Sequence, residues 1–172
     1  GRLSEKSTEL LNEAGIFLSN GERRLISVSP NFPVEVLFLR DDDIPGYVAD
    51  KVADIGFVGE NVVSEKQCQV RIVHKLGFGK CRLSLAIPRN ENYQSETWFN
   101  GKKIATSYPV ILKKFLDEKN IYADIHEISG SVEIAPGIGL ADAIFDIVSS
   151  GSTLISNGLK EVETVMSSEA VI

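Results

Sequence analysis

Cysteine, histidine and basic charge are scarce in this sequence, and each shortage removes a class of function. The 172 residues include 2 Cys and 2 His. Cys68 and Cys81 have no second ligand pair and no neighbouring histidine, so zinc-site spacing is missing; buried free thiols in a reducing compartment are expected. His74 and His126 stand without a partner at metal-ligand spacing, and no Gly-x-Ser-x-Gly accompanies them, so triad-type hydrolysis finds no support. Lys and Arg number 18 against 24 Asp and Glu, a formal net charge of −6. Such a balance lacks the basic face that nucleic-acid binding needs. No apolar run approaches the roughly 18 residues of a membrane span, and no basic-then-apolar leader opens the sequence. A Walker-type loop is excluded because no Gly-Lys-Ser/Thr occurs. The expectation is a soluble cytoplasmic protein with no nucleic-acid or membrane partner.

What is present is an ordinary globular composition, 43% apolar and 24% charged, enough to build a core. Ser4 or Ser7 could cap an opening helix carrying Leu10, Leu11 and Ala14, with Gly15 as its stop. Strands are expected at Arg23 to Ser29 and Val34 to Arg40, turned by Pro30 and Pro33. Asp41-Asp42-Asp43-Ile44-Pro45 reads as a helix start, with a helix to about Val52 and a short buried strand over Asp54 to Gly59. Strand, helix, strand at this spacing is an α/β signature with a parallel component. Leu83 to Pro88 is a further apolar strand, and the polar stretch from Arg89 to Gly101 marks a lobe boundary. A second α/β pattern follows: Lys103 to Thr106 as strand, Val110 to Asn120 as a helix with Ile111, Leu112, Phe115 and Leu116 on one face, and Ile125 to Ile128 as strand. Asp142 to Ser149 is expected as helix or turn, with late strands at Val162 to Met166 and Ala170 to Ile172.

The strongest local signal for chemistry is Ile144 to Leu154, where an apolar run and Asp146 lead into Ser149-Ser150-Gly151-Ser152-Thr153. Gly151 allows close backbone approach, the hydroxyls supply donors, and such a loop can cradle a phosphate; it can equally be an ordinary turn. Arg2 and the pair Arg23-Arg24 carry permanent charge suited to phosphate oxygens, or to a solvated surface. Asp41 to Asp43 suits a solvated helix start better than a metal site. Glu133 sits in a loop bounded by glycine and proline, where a carboxylate can face a ligand.

Read together, Glu133, Gly139, Ala141, Ile144, Asp146, Ile147 and Ser150-Gly151-x-Thr153-Leu154 resemble the signature of the ATP phosphoribosyltransferase family. The resemblance extends through Gly1-Arg2-Leu3-Ser4, Arg40-Asp41-Asp42-Asp43-Ile44-Pro45, Asp54-Ile55-Gly56, Gly59-Glu60-Asn61-Val62, Cys81-Arg82-Leu83-Ser84-Leu85-Ala86, Thr106-Ser107-Tyr108-Pro109 and Asn157-Gly158-Leu159. Several segments are worded like the long form of the family, and the chain resembles its catalytic core, trimmed at both ends and without the C-terminal regulatory domain.

That resemblance implies a two-lobed α/β fold of the type II periplasmic-binding-protein kind, with the active site in the cleft between lobes. Residues 1–85 with a return strand at about 168–172 would form lobe I, and residues 86–167 would form lobe II. It implies condensation of ATP with 5-phosphoribosyl 1-diphosphate (PRPP) at adenine N1, the first step of histidine biosynthesis, with Mg²⁺ and a homo-oligomeric enzyme, a dimer or hexamer of dimers in the full-length family. Arg2 and Arg23 match positions suited to the departing diphosphate. Glu133, Asp146, Ser149, Ser150, Gly151, Ser152 and Thr153 match the PRPP site, and Asp54, Gly56 and Gly59 are assigned to the ATP side. The metal ligands are left open. The alternative is a non-catalytic phosphate-ligand binding or interaction subunit of the same fold.

Overall fold

The computed structural model describes residues 2–19 and 25–172. The chain divides into two compact units, residues 1–79 with 169–172, and residues 80–168.

In the first unit, helix α1 spans Arg2–Glu13. Ser4 and Ser7 fall inside it rather than ahead of it, so neither caps its start; the Thr8 hydroxyl donates to the Ser4 carbonyl at 2.9 Å. The stop is as expected. Gly15 takes φ +79°, its N–H donates to the Asn12 carbonyl, and the Ile16 N–H donates to Leu11, the paired bonds of a Schellman ending. Strands β1 (Ile26–Val28) and β2 (Glu35–Leu37) pair antiparallel. A 3₁₀ turn at Asp41–Asp43 leads into α2 (Ile44–Ala49), with Pro45 in its first turn where a missing N–H costs nothing. The helix stops short of Val52 because Lys51 adopts φ +60°.

Over Asp54 to Gly59 the expected buried strand is reduced to β3 (Val58–Gly59), and Ile55 is 60% exposed. The cause is the partner's length: β3 pairs antiparallel with β9 (Ala170–Val171), which offers two residues. The parallel component expected here is absent among the described residues. Helix α3 (Glu60–Lys66) follows, and Val58, Val62 and Val171 form a small apolar cluster against Ile44 and Val63.

The second unit is built on a mixed sheet of order β6-β5-β7-β4-β8. Its strands are β4 (Cys81–Pro88), β5 (Lys103–Thr106), β6 (Asp124–Glu127), β7 (Ala143–Val148) and β8 (Leu159–Ser168). β5 runs parallel to β6 and β7, and β4 antiparallel to β7 and β8. β4 is paired on both edges inside this unit, and the division falls after Gly79; the resemblance implied a boundary after residue 85, and the polar stretch began at Arg89. The expectation of helix or turn at Asp142 to Ser149 is overturned. Those residues form β7, whose β-branched and aromatic run is sandwiched between β4 and β5.

One sheet face packs Leu83, Leu85, Ile87 and Phe145 against Phe99 and against Ile111, Leu112 and Leu116 of helix α4 (Pro109–Glu118). The other face packs Ala86, Ala105, Ile144 and Val148 against Val132, Ala135, Leu154 and Leu159. Both cysteines are free thiols, half-buried rather than buried.

Candidate phosphate-binding site

β7 delivers the site. Side chains alternate across a strand, so the cross-strand pairs Asp146–Ser84 and Val148–Arg82 share one face, while Ile147 lies opposite Leu83 on the other. Beyond Val148 the chain turns through Ser149 and Ser150 to Gly151, at φ +81°, and enters the short helix α5 (Ser152–Ser156). Glycine adopts that backbone region without the penalty a Cβ imposes. The segment is pinned at both ends by buried Val148 and Leu154, members of one core cluster, while Ser149, Ser150, Ser152 and Thr153 lie exposed between them. The Ser150 and Ser152 hydroxyls lie 2.9 Å apart, and the Ser152 N–H donates to Ser150 Oγ at 3.4 Å. The result is a small rim of hydroxyls and first-turn amides on a rigid strand, where helix geometry leaves donors without intrahelical acceptors.

Asp146 stands one pleat below the rim, its Oδ1 accepting the Ile147 N–H at 2.8 Å. Burial pushes its carboxyl above the usual range, the Ile147 hydrogen bond pulls it back, and the negative charge of Glu133 pushes it up again. Glu133 lies in a 3₁₀ turn, Val132–Ile134, entered through Ser131 at φ +51° and anchored by buried Val132. Thus Glu133, Asp146 and Ser149 to Thr153 all belong to the second unit, with the two carboxylates close enough to repel.

The remaining candidates lie elsewhere. Arg2 is exposed on the first turn of α1, and Arg23 falls outside the described residues. Asp54 occupies the bend before β3. Gly56 and Gly59 have packing reasons to be glycine: a Cβ on Gly56 would come within 2.6 Å of Ile44 Cγ2, and one on Gly59 would strike the Asn61 side chain. Among the described residues, no cluster of three or more His, Cys, Asp or Glu is arranged to hold a metal ion. No helix among them is long and apolar enough to cross a membrane.

The structure adds a network that the sequence reading missed. Arg82 grips Glu161 through two bonds, Nε to Oε1 and Nη2 to Oε2, each 2.6 Å. Ser84 Oγ donates to Glu161 Oε1 at 2.6 Å, and Arg82 Nη1 donates to the Ser149 carbonyl at 3.3 Å. Glu161 is held below its ordinary carboxylate range, chiefly by Arg82, with burial opposing and Ser84 helping. The sequence analysis read Leu83 to Pro88 as an apolar strand and assigned Arg82 no role, because the carboxylate that Arg82 and Ser84 meet comes from β8, distant in sequence.

Known proteins decide the family. A family model described as HisG: ATP phosphoribosyltransferase matches residues 40–172. The chain belongs to that family. It is 63% identical over 172 residues to the ATP phosphoribosyltransferase of Parabacteroides distasonis, a match covering 100% of this chain and 61% of that protein. The chain therefore spans about 61% of the length of that curated relative. Among solved structures, the ATP phosphoribosyl transferase (HisG:HisZ) complex from Thermotoga maritima matches with a TM-score of 0.85 and 29% identity, over 99% of this chain and 82% of that one. At the level of fold alone, an ABC transporter/periplasmic binding protein from Brucella ovis with glutathione bound matches with a TM-score of 0.53 and 9% identity, over 96% of this chain and 64% of that one. The α/β fold is of the periplasmic-binding-protein type.

Proposed function

We propose that this chain carries the catalytic core of an ATP phosphoribosyltransferase, acting in the cytoplasm at the first step of histidine biosynthesis. In this reading adenine N1 of ATP bonds to the anomeric carbon of PRPP while the carbon–oxygen bond to diphosphate breaks, its electron pair leaving on the diphosphate oxygen. The observation that carries the reading is the pinned rim from Ser149 to Thr153 at the end of β7, exposed hydroxyls on a core-anchored turn above a half-buried carboxylate. Chain membership in the family supports it.

Each group has work that suits its chemistry. The rim binds the 5-phosphate of PRPP through hydroxyls and backbone amides. Asp146 and Glu133 face the ribose, where two carboxylates favour the positive charge that develops at the anomeric carbon. Arg2 and Arg23 stabilise departing diphosphate, and Asp54, Gly56 and Gly59 serve the ATP side. Adenine N1 is already a lone-pair nucleophile, so no protein base has to activate it. Mg²⁺ is held in such sites by one or two carboxylates together with substrate phosphate oxygens. Asp146 and Glu133 supply two carboxylates of that kind in one unit, with Asp146 raised chiefly by burial and, to a smaller degree, by the charge of Glu133. When bound, Mg²⁺ would neutralise phosphate charge.

Sequence alone left open a binding-only subunit; the curated relative named for the transferase favours catalysis. The solved relative is a complex of two kinds of chain, which supports an oligomeric enzyme, and homo-oligomer formation belongs to this proposal. Thr153→Ala removes a donor, and Gly151→Val forces a β-branched residue into positive φ. Each is expected to weaken PRPP binding at least 10-fold while ATP binding stays within about 2-fold, the scale of one or two lost charge-assisted hydrogen bonds. Calorimetry with each ligand on folded variants checks this, and equal losses for both ligands would overturn the placement.

A further inference from the structure

Helix α5 has five residues, far below the length at which a helix holds itself together in water. An open pocket of about 540 Å³ bordered by Arg82, Arg89, Gly151, Leu154, Ile155 and Glu161 lies against it, and Ile155 is largely exposed. What reaches across are two guanidinium groups carried by β4 and its first following residue. Arg82 Nη1 donates to the Ser149 carbonyl at 3.3 Å, where the rim begins, and Arg89 Nη2 donates to the Ile155 carbonyl at 3.1 Å, in the last turn of α5. The Arg89 backbone N–H adds a bond to the Gly158 carbonyl at 2.8 Å.

β4 is the strand best suited to such work, being hydrogen-bonded on both edges with Leu83, Leu85, Ala86 and Ile87 fully buried. Arg82 is itself locked. Glu161 occupies Nε and Nη2 in a fork, Ser84 holds Glu161, and Nη1 is left to face Ser149. At the other end Arg89 meets carbonyls at a helix C-terminus, where a cation is favoured.

We propose that Arg82 and Arg89 are positioning residues that clamp the Ser149–Ile155 segment at its two ends, fixing the phosphate rim against the central strand before substrate arrives. The inference rests on the PRPP reading for its consequence but not for its mechanics. Neither arginine is assigned to touch substrate. Lysine cannot substitute at Arg82, because a point charge on a flexible stem cannot fork onto Glu161 and still reach Ser149.

The test pairs amide hydrogen exchange on the unliganded protein with steady-state kinetics on Arg82→Ala, Arg82→Lys, Arg89→Ala and the double alanine variant. Exchange across residues 150–156 is expected to rise about 10-fold in each alanine variant, the equivalent of one lost hydrogen bond to a charged group, with β4 and β7 amides unchanged. KM for PRPP should rise by a similar factor while KM for ATP stays put, and Arg82→Lys should behave like alanine. A merely structural residue would instead lower thermal stability and move both KM values together. Should Arg82→Ala fail to fold, exposed Arg89→Ala decides the matter. Unchanged exchange at 150–156, or full restoration by lysine, overturns the clamp. If exchange rises in the variants but the parent protein shows no affinity for PRPP, the clamp stands and the phosphate reading falls.

Discussion

In the second unit a central strand is paired on both edges and buries Leu83, Leu85, Ala86 and Ile87 completely, with Phe99 and Phe145 equally inaccessible. In the first unit the strands run to three residues at most among those described, and Leu25, Val28 and Ile55 are each more than half exposed. Its apolar cluster amounts to Val58, Val62 and Val171 with Ile44 and Val63 at the margin. The contrast teaches where a ligand-positioning loop can be hung. A rim of exposed hydroxyls holds its shape only when both ends are tied to something that does not move, and the second unit supplies it. The first has short pairings and a small cluster, with Gly56 leaving no room for a Cβ beside Ile44.

The largest test of this contrast is core truncation. Phe145→Ala should cost about 3–5 kcal/mol in denaturant unfolding, whereas Val62→Ala should cost about 2 kcal/mol, from less apolar area and a margin able to collapse. Comparable losses, or hydrogen exchange spreading through both units alike after Val62→Ala, would erase the distinction.

A finer test uses Gly56, where Ile44 Cγ2 would stand 2.6 Å from an added Cβ. Gly56→Ala should destabilise the first unit by about 1–3 kcal/mol, the usual cost of overpacking. Ile44→Leu, which removes that branch methyl, should recover part of the loss in a double-mutant cycle read by thermal unfolding. Additive effects would mean the contact is not the cause.

The smallest effect concerns Glu161, and its sign is fixed. Its carboxyl is lowered from an ordinary value of 4.5, chiefly by the Arg82 hydrogen bond, so the native state favours the ionised form. The resulting stability is present above the unfolded-state value and is lost as pH falls through the folded one. Glu161→Gln should therefore melt earlier than the parent protein at neutral pH, with the gap closing in acid. Melting curves collected across that range check this, and a constant gap would assign the effect to packing.

Much of the fold was legible because it is written in local pattern. Lys103–Thr106 is the expected strand, the α4 stripe of Ile111, Leu112 and Leu116 is buried as its spacing required, and Gly15 ends α1. Local pattern failed where pairing decides. Ile144 to Val148 is an apolar run interrupted by a carboxylate, without the alternation that marks a strand, and its position between β4 and β5 makes it one. Asp54 to Phe57 looked like strand but finds no partner to pair with in a two-residue β9. Of the candidate site, Glu133, Asp146 and the Ser149 to Thr153 segment were visible as a motif and lie in one unit, whereas the Arg82–Glu161 fork joins residues 79 positions apart, beyond the reach of any spacing rule.

The strand placement of Asp146 also bears on how this chain can vary in length. β7 alternates Asp146 on the rim side with Ile147 on the side packed by Leu83, so one inserted or deleted residue within Ala143–Val148 would exchange the two. The carboxylate would then stand on the Leu83 face, at the partly exposed position of Ile147, and an isoleucine would stand beneath the rim. An insertion at Asn157-Gly158, past the end of α5, would only lengthen a turn in which Gly158 already takes φ +70°. Among functional descendants of this sequence, gaps should accumulate after Ser156 and be purged from the six residues before Ser149.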